Sequence, residues 1–200
     1  GAYLGLKQHD LKGVLAYSTV SQLGVLVMLI GQDVPEAFKA LIIGLVAHAL
    51  YKSALFLVAG IIDHETGTRD IRRLGGLRHA MPFTFIVGAT AALSMAGLPP
   101  LFGFLAKETL LVTAVHPSLP QFMASIFPMA TVIAGALMLA QAGMIIVDTF
   151  LGKSRDESIH AHEAPWLMIL APLMPTIISL TVGLLPETKT EAAFLAGAAS

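Results

Sequence analysis

Cysteine is missing from all 200 residues, so the chain itself can form no disulfide and offers no thiolate to a metal. Charge is scarce too: Asp, Glu, Lys and Arg make up 12% of residues, about half the share usual in soluble domains. The signs nearly cancel, leaving a net charge of −1, and this removes the basic surface that a nucleic-acid partner needs. No phosphate loop, dinucleotide fingerprint or nucleophile elbow occurs, so catalysis by the chain itself has no visible equipment and no cofactor is expected. Residues 1–10 contain no initiator Met, no basic leader and no signal-peptide pattern. They read as the end of one hydrophobic element entering a polar turn, and the chain is expected to be a piece of a longer protein.

Apolar residues, in contrast, are abundant. They make up 56% of the chain and raise its mean hydropathy to +0.78, a membrane composition. Five segments approach the roughly 20 residues that a spanning helix needs: 11–31, 35–62, 82–115, 122–151 and 165–185. Pro35 and Pro82 stand at first-turn positions, and Pro172 and Pro175 are expected to kink the last helix. The third segment is interrupted by Leu98-Pro99-Pro100-Leu101-Phe102-Gly103. The piece after that interruption gives only about 18 Å at about 1.5 Å per residue, too short for a crossing, so one broken span is expected.

Basic residues agree with five crossings. Lys7, Lys12, Arg69, Arg72, Arg73, Arg78, Lys153 and Arg155 then share one side, and Lys39 and Lys189 fall on the other. The crowded side is expected to be cytoplasmic. Two separate crossings in the third segment would send Lys153 and Arg155 outside. The segment 63–79 is too polar to span and reads as a cytoplasmic, partly interfacial linker with Ile71, Leu74 and Leu77 as its apolar contacts. The loop KSRDESIHAHE at 153–163 reads as solvated. The expected fold is an all-α, polytopic transmembrane helix bundle with one broken helix.

Two lysines remain inside apolar helices, Lys52 and Lys107. An ammonium at bilayer depth costs from roughly 3 to well over 10 kcal/mol, so such a residue reads as functional by default. His48 precedes Lys52 by four residues and shares its helix face. An amine and an imidazole side by side can each take up and release a proton. The alternative, a lysine snorkelling to the interface, requires Lys52 to reach past roughly ten further apolar residues. Lys107 and the adjacent Glu108 follow the helix break, where unpaired backbone groups at membrane depth are tolerated only inside protein or beside a wet cavity. Both could instead neutralise the exposed helix ends.

Lys12, at a cytoplasmic helix end, reads by position alone as an anchor. Ser18, Ser21 and Gln22 have the spacing to line a hydrated path, or to hydrogen-bond between helices. His79, His116, His160 and His162 fall in loops and read as solvated, with His160 and His162 too few to make a metal site. Asp148 reads as a helix-end carboxylate facing water.

Three motifs carry a resemblance. Asp10-Leu11-Lys12-Gly13-Val14-Leu15-Ala16-Tyr17-Ser18-Thr19 resembles the DxKxxLAYST stretch of the antiporter-like membrane subunits, which occur in complex I and in multisubunit Na⁺/H⁺ (Mrp-type) antiporters. His48-Ala49-Leu50-Tyr51-Lys52-Ser53-Ala54-Leu55-Phe56-Leu57 is similar to their HAxxKAxLFL element, and Gly103-Phe104-Leu105-Ala106-Lys107-Glu108 to their GFxxKE/D motif. The stretch 63–77 resembles the linker of the Mrp-type A subunit in particular. Where relatives often carry a second histidine four residues before the one matched by His48, this chain has Gly44.

The resemblance implies the second repeat of an inverted-repeat fold followed by a further helix. It matches Lys12, Lys52 and Lys107 to the family's lysines of a central hydrophilic axis and His48 to its paired histidine. It further implies a secondary-transporter subunit in the bacterial inner membrane that exchanges Na⁺ for H⁺ beside other membrane subunits. The expected proton path is Lys12, His48, Lys52, Lys107 and Glu108. The rival readings are a proton-pumping subunit of a quinone reductase or membrane-bound hydrogenase, and a scaffold whose buried charges only hold helices in register.

Overall fold

The computed structural model describes residues 1–32, 34–115, 121–156 and 158–185; His116 and Lys189, placed above in a loop and on the outer side, lie outside the described residues. Among these residues the chain forms eight α-helices and no strand, with one isolated antiparallel bridge between Asp10 and Asp70. A short α1 (Ala2–Leu6) leads into α2 (Leu11–Ile30). The Asp10 carboxylate caps α2 by accepting the Gly13 N–H at 2.9 Å, which satisfies a first-turn donor. Its other oxygen meets Arg69 Nε at 3.0 Å.

Helix α3 (Pro35–Thr66) opens on Pro35 and runs for 32 residues, about 48 Å at about 1.5 Å per residue. That exceeds the roughly 30 Å of a bilayer's hydrocarbon core. The sequence suggested an end at residue 62, where polar residues begin; the helix goes on for another turn. Asp63, His64, Glu65 and Thr66 leave the apolar layer without leaving the helix, which stops at Gly67 in the left-handed region (φ 68). Helix α3 is central, packing against α2 and against the later helices α5 (Pro82–Ala96), α6 (Phe102–Ala114) and α8 (Trp166–Leu184). Leu55, Ile62, Met95, Phe102 and Phe150 fill the core around it.

Four helical stretches are long and apolar enough to cross a membrane: Leu11–Ile30, Pro35–Thr66, Ala124–Phe150 and Trp166–Leu184. The interrupted third segment forms two short helices, α5 and α6, of 15 and 13 residues, separated at Gly97–Leu101. Helix α7 (Gln121–Met144) contains Pro128 and passes directly into a π-helical turn, Ile145–Phe150.

In the linker after α3, Ile71, Leu74 and Leu77 are buried in the main core. Leu77 begins the one-turn helix α4 (Leu77–Ala80). The loop at 153–163 is likewise more than solvated chain. Arg155 donates to the Ile71 carbonyl at 2.8 Å and pairs with Asp148 at 2.7 Å. Glu163 accepts the Phe83 N–H at 2.7 Å and the Thr84 hydroxyl at 2.6 Å, placing a carboxylate at the positive end of α5. His162, expected to be simply solvated, pairs through Nδ1 with Glu65 Oε2 at 3.0 Å, while His64 meets Oε1 at 2.9 Å. The imidazoles stay exposed because only the carboxylate is buried.

Asp156 pins this loop. The Ser158 hydroxyl (2.6 Å) and the Arg73 guanidinium (2.7 Å) hold its carboxyl down to about 2, below the ordinary 3.8. A carboxyl held down in the folded state contributes its full stabilisation above the ordinary value and loses it as pH falls through the lowered one. The tether should therefore persist at pH 4 and release near pH 2. Pepsin should cut the loop slowly at pH 4 and faster at pH 2 in the unaltered protein, and fast at both pH values in Asp156→Asn. Equal cleavage of the two proteins at pH 4 would contradict the tether.

Candidate functional site

The site begins with two residues one turn apart on α3, His48 at 7% exposure and Lys52 at 5%. Lys52 Nζ reaches across to α2, donating to the Leu15 carbonyl at 2.9 Å and, over a short contact, to the Ser18 hydroxyl. The Ser18 hydroxyl donates a hydrogen bond to Leu15 O at 2.8 Å, and its oxygen accepts from the ammonium. Thr19 also donates to Leu15 O, at 3.0 Å. The charge thus rests on neutral oxygens. His48 Nδ1 meets the Tyr51 hydroxyl at 3.1 Å, and the two rings stand edge to face with centroids 5.4 Å apart. Tyr51 is buried as well, so the imidazole is oriented by a partner on its own helix.

Lys107 belongs to the break. Gly97 ends α5 with φ 81, and a Cβ there would collide with the Lys107 stem, so the glycine supplies both the turn and the slot for the lysine. From that slot Nζ donates to Ala96 O at 2.7 Å. The ammonium therefore sits on the negative end of α5, where a helix leaves carbonyls unpaired. The break is fastened by Ser94, whose hydroxyl lies 3.0 Å from that of Ser179 on α8 and accepts the Gly103 N–H at 3.3 Å.

The remaining expected residues lie elsewhere. Lys12 is 36% exposed in its side chain and pairs with Asp63 at 3.0 Å, with Arg69 3.9 Å from the same carboxylate. These groups form an ion-pair cluster at the polar end of α3. Glu108 is exposed and does not share the Lys107 slot. At Gly44 a Cβ would come within 2.9 Å of the Leu26 side chain on α2, so α2 and α3 approach closely there. Among the described residues no group of three or more His, Asp or Glu side chains is placed to hold a metal.

Sequence reasoning missed Tyr51 as the partner of His48, although its position in the His48–Lys52 motif was a signal. It also missed the Leu15 and Ala96 carbonyls, for which side-chain identity gives no signal.

Residues 1–134 match the family described as NADH:quinone oxidoreductase/Mrp antiporter, TM, and the chain belongs to it. The chain is similar to the A/B subunit of a probable K(+)/H(+) antiporter of Rhizobium meliloti (strain 1021), 42% identical over 189 residues that cover 93% of this chain and 19% of that protein. It is also similar to the A1 subunit of the Na(+)/H(+) antiporter of Staphylococcus aureus (strain N315), 37% identical over 204 residues, 92% of this chain and 26% of that protein. The Mrp complex from Dietzia sp. DQ12-45-1b superposes with a TM-score of 0.80 at 38% identity, covering 92% of this chain and 20% of that one. A membrane-bound sulfane sulfur reductase, an archaeal respiratory membrane complex, superposes with a TM-score of 0.84 at 26% identity, covering 92% and 30%. The chain thus spans between 19% and 26% of the length of these curated relatives. It is a multi-pass membrane protein, as the family and the four long apolar helices require.

Proposed function

We propose that this chain is part of an A-type subunit of a multisubunit cation/H⁺ antiporter in a bacterial inner membrane, and that protons pass along His48, Lys52 and Lys107. Na⁺ is the expected exchanged ion. The observation that carries this reading is the Lys52 ammonium, 5% exposed and held by uncharged oxygens of α2. Retaining a charge there is costly, and a moving ion gives it a use. Tyr51 occupies Nδ1 of His48 and leaves Nε2 for exchange. A cation passing nearby repels an ammonium in a medium of low dielectric and favours release of its proton. Lys12, paired with Asp63, would act at the cytoplasmic mouth of the path, and Glu108 would face a neighbouring membrane subunit.

The relatives named as antiporter subunits, at 42% and 37% identity, favour exchange over redox-driven pumping. The match to a respiratory complex at 26% supports the second reading, in which the same lysines serve electron-transfer partners. Small membrane subunits purifying with the protein support the first reading; flavin and iron–sulfur subunits support the second. The relay itself is tested with Lys107→Ala in sealed vesicles containing the intact complex. Na⁺-dependent proton movement should disappear while the complex still assembles, and transport at the unaltered rate would refute the role of Lys107.

A further inference from the structure

Helix α8 closes on the break between α5 and α6 at two points. Gly183 is the first. A Cβ there would fall on the Pro100 carbonyl oxygen and within 2.7 Å of the Leu101 carbonyl carbon, so the α8 backbone lies directly against the turn that joins α5 to α6. Ser179, one turn earlier on the same face, is the second. Its hydroxyl lies 3.0 Å from that of Ser94, and the two residues are 3% and 1% exposed. Neighbouring hydroxyls behave differently. Thr90 and Thr176, about one turn earlier on the same two helices, each donate back to a carbonyl of their own helix at 2.8 Å. Ser94 and Ser179 instead face each other across the helix contact.

Ser94 also accepts the Gly103 N–H at 3.3 Å, so one side chain joins α8 to the first turn of α6. The seat of Lys107 is built from the same pieces. Its acceptor, the Ala96 carbonyl, lies just past Ser94 at the end of α5, and Lys107 itself lies one turn after Gly103 on α6. Any slip of α6 against the end of α5 therefore moves the ammonium off its acceptor. The cavity wall beside Lys107 carries no second charge: Gln22 of α2 and Thr131 of α7 are its other polar members. Glu108 is exposed.

We propose that Ser179 is a positioning residue for Lys107: through Ser94 it holds the two halves of the broken helix in the register that seats the ammonium on Ala96. It thereby sets how readily Lys107 gives up and regains a proton. Ser179 itself carries no proton in transit. The inference rests on the relay reading above and adds α8 to it as the element that maintains the Lys107 seat.

The test uses intact complex in sealed vesicles. Ser179→Ala, Ser94→Ala, the two combined, Thr176→Val and Lys107→Ala are compared with the unaltered protein. In Ser179→Ala, Na⁺-driven proton movement should slow by about three- to tenfold, the range that one hydrogen bond between membrane helices corresponds to. The pH profile of movement should also be displaced by about half a unit to one unit, because a charged amine has lost alignment with its acceptor. A hydroxyl that only packs helices would leave that profile in place. The double variant should be no slower than Ser94→Ala, since both substitutions break the same link. Thr176→Val removes a hydroxyl whose bond stays within α8, and should keep the unaltered rate and profile. An unaltered rate and profile in Ser179→Ala would overturn the proposal. So would slowing with an unmoved profile, additive losses in the double variant, or the same displacement in Thr176→Val. Lys107→Ala separates the two levels: if it is silent while Ser179→Ala behaves as the unaltered protein, only the α8 link fails. If Lys107→Ala transports normally, the relay reading fails.

Discussion

Gly103→Val is expected to prevent assembly of a stable complex. A Cβ at Gly103 would fall on the Ser94 carbonyl, within 2.7 Å of its carbon, and a backbone group cannot swing aside as a side-chain tip can. The start of α6 would have to move off the end of α5. That movement breaks the Gly103 N–H bond to Ser94, disturbs the Ser94–Ser179 contact with α8, and pulls Lys107 from Ala96. Overpacking a tight contact costs roughly 1–3 kcal/mol, occasionally more, and here three helices share the penalty. The check is the thermal stability and yield of the purified complex. Gly60→Ala is the control: nothing lies within 4 Å of its added Cβ, and alanine favours a helix by up to about 1 kcal/mol. Full yield and unchanged stability for Gly103→Val would remove close α5–α6 packing from the account.

Lys52→Met is expected to do the opposite: a folded complex with no transport. Methionine matches the length of the lysine stem and adapts to irregular space. The oxygens it abandons keep partners, because Leu15 O still accepts the Ser18 and Thr19 hydroxyls. Removing a buried charge without stranding a polar group is close to neutral for folding. Proton movement, in contrast, should fall to background, since His48 and Ser18 would then have no amine between them to take up the proton. A scaffold role for Lys52 gives the reverse pattern, with weakened assembly and unimpaired movement in whatever complex survives.

Much of this architecture was legible because membrane helices are written in length and apolarity. Pro35 and Pro82 marked helix starts, and Leu98-Pro99-Pro100 with Gly103 marked the interruption that separates α5 from α6. The polar end of α3 was harder to read: Asp63 to Thr66 mark where the apolar layer stops, and helical hydrogen bonding continues beyond that boundary. The π-helical turn at Ile145–Phe150 left no compositional trace, since it changes backbone pairing and not residue type. Lys52 and Lys107 stood out because charge is so rare in their surroundings, yet what holds them, the Leu15 and Ala96 carbonyls, is common to every residue and can be found only in three dimensions. Lys12 looked similar by motif, but the chain folds Asp63 and Arg69 against it and makes it part of a surface ion-pair cluster. His162 looked like loop and is bound to a buried carboxylate in the last turn of α3, Glu65.

The central claim is that the buried amine of Lys52 carries protons in transit. The most direct measurement is the initial rate of proton movement across sealed vesicles after a step in Na⁺, comparing the unaltered complex with Lys52→Met at equal content of assembled protein. The account predicts a response in the unaltered vesicles and none above the protein-free leak in the variant. A variant response equal to that of the unaltered complex would contradict it.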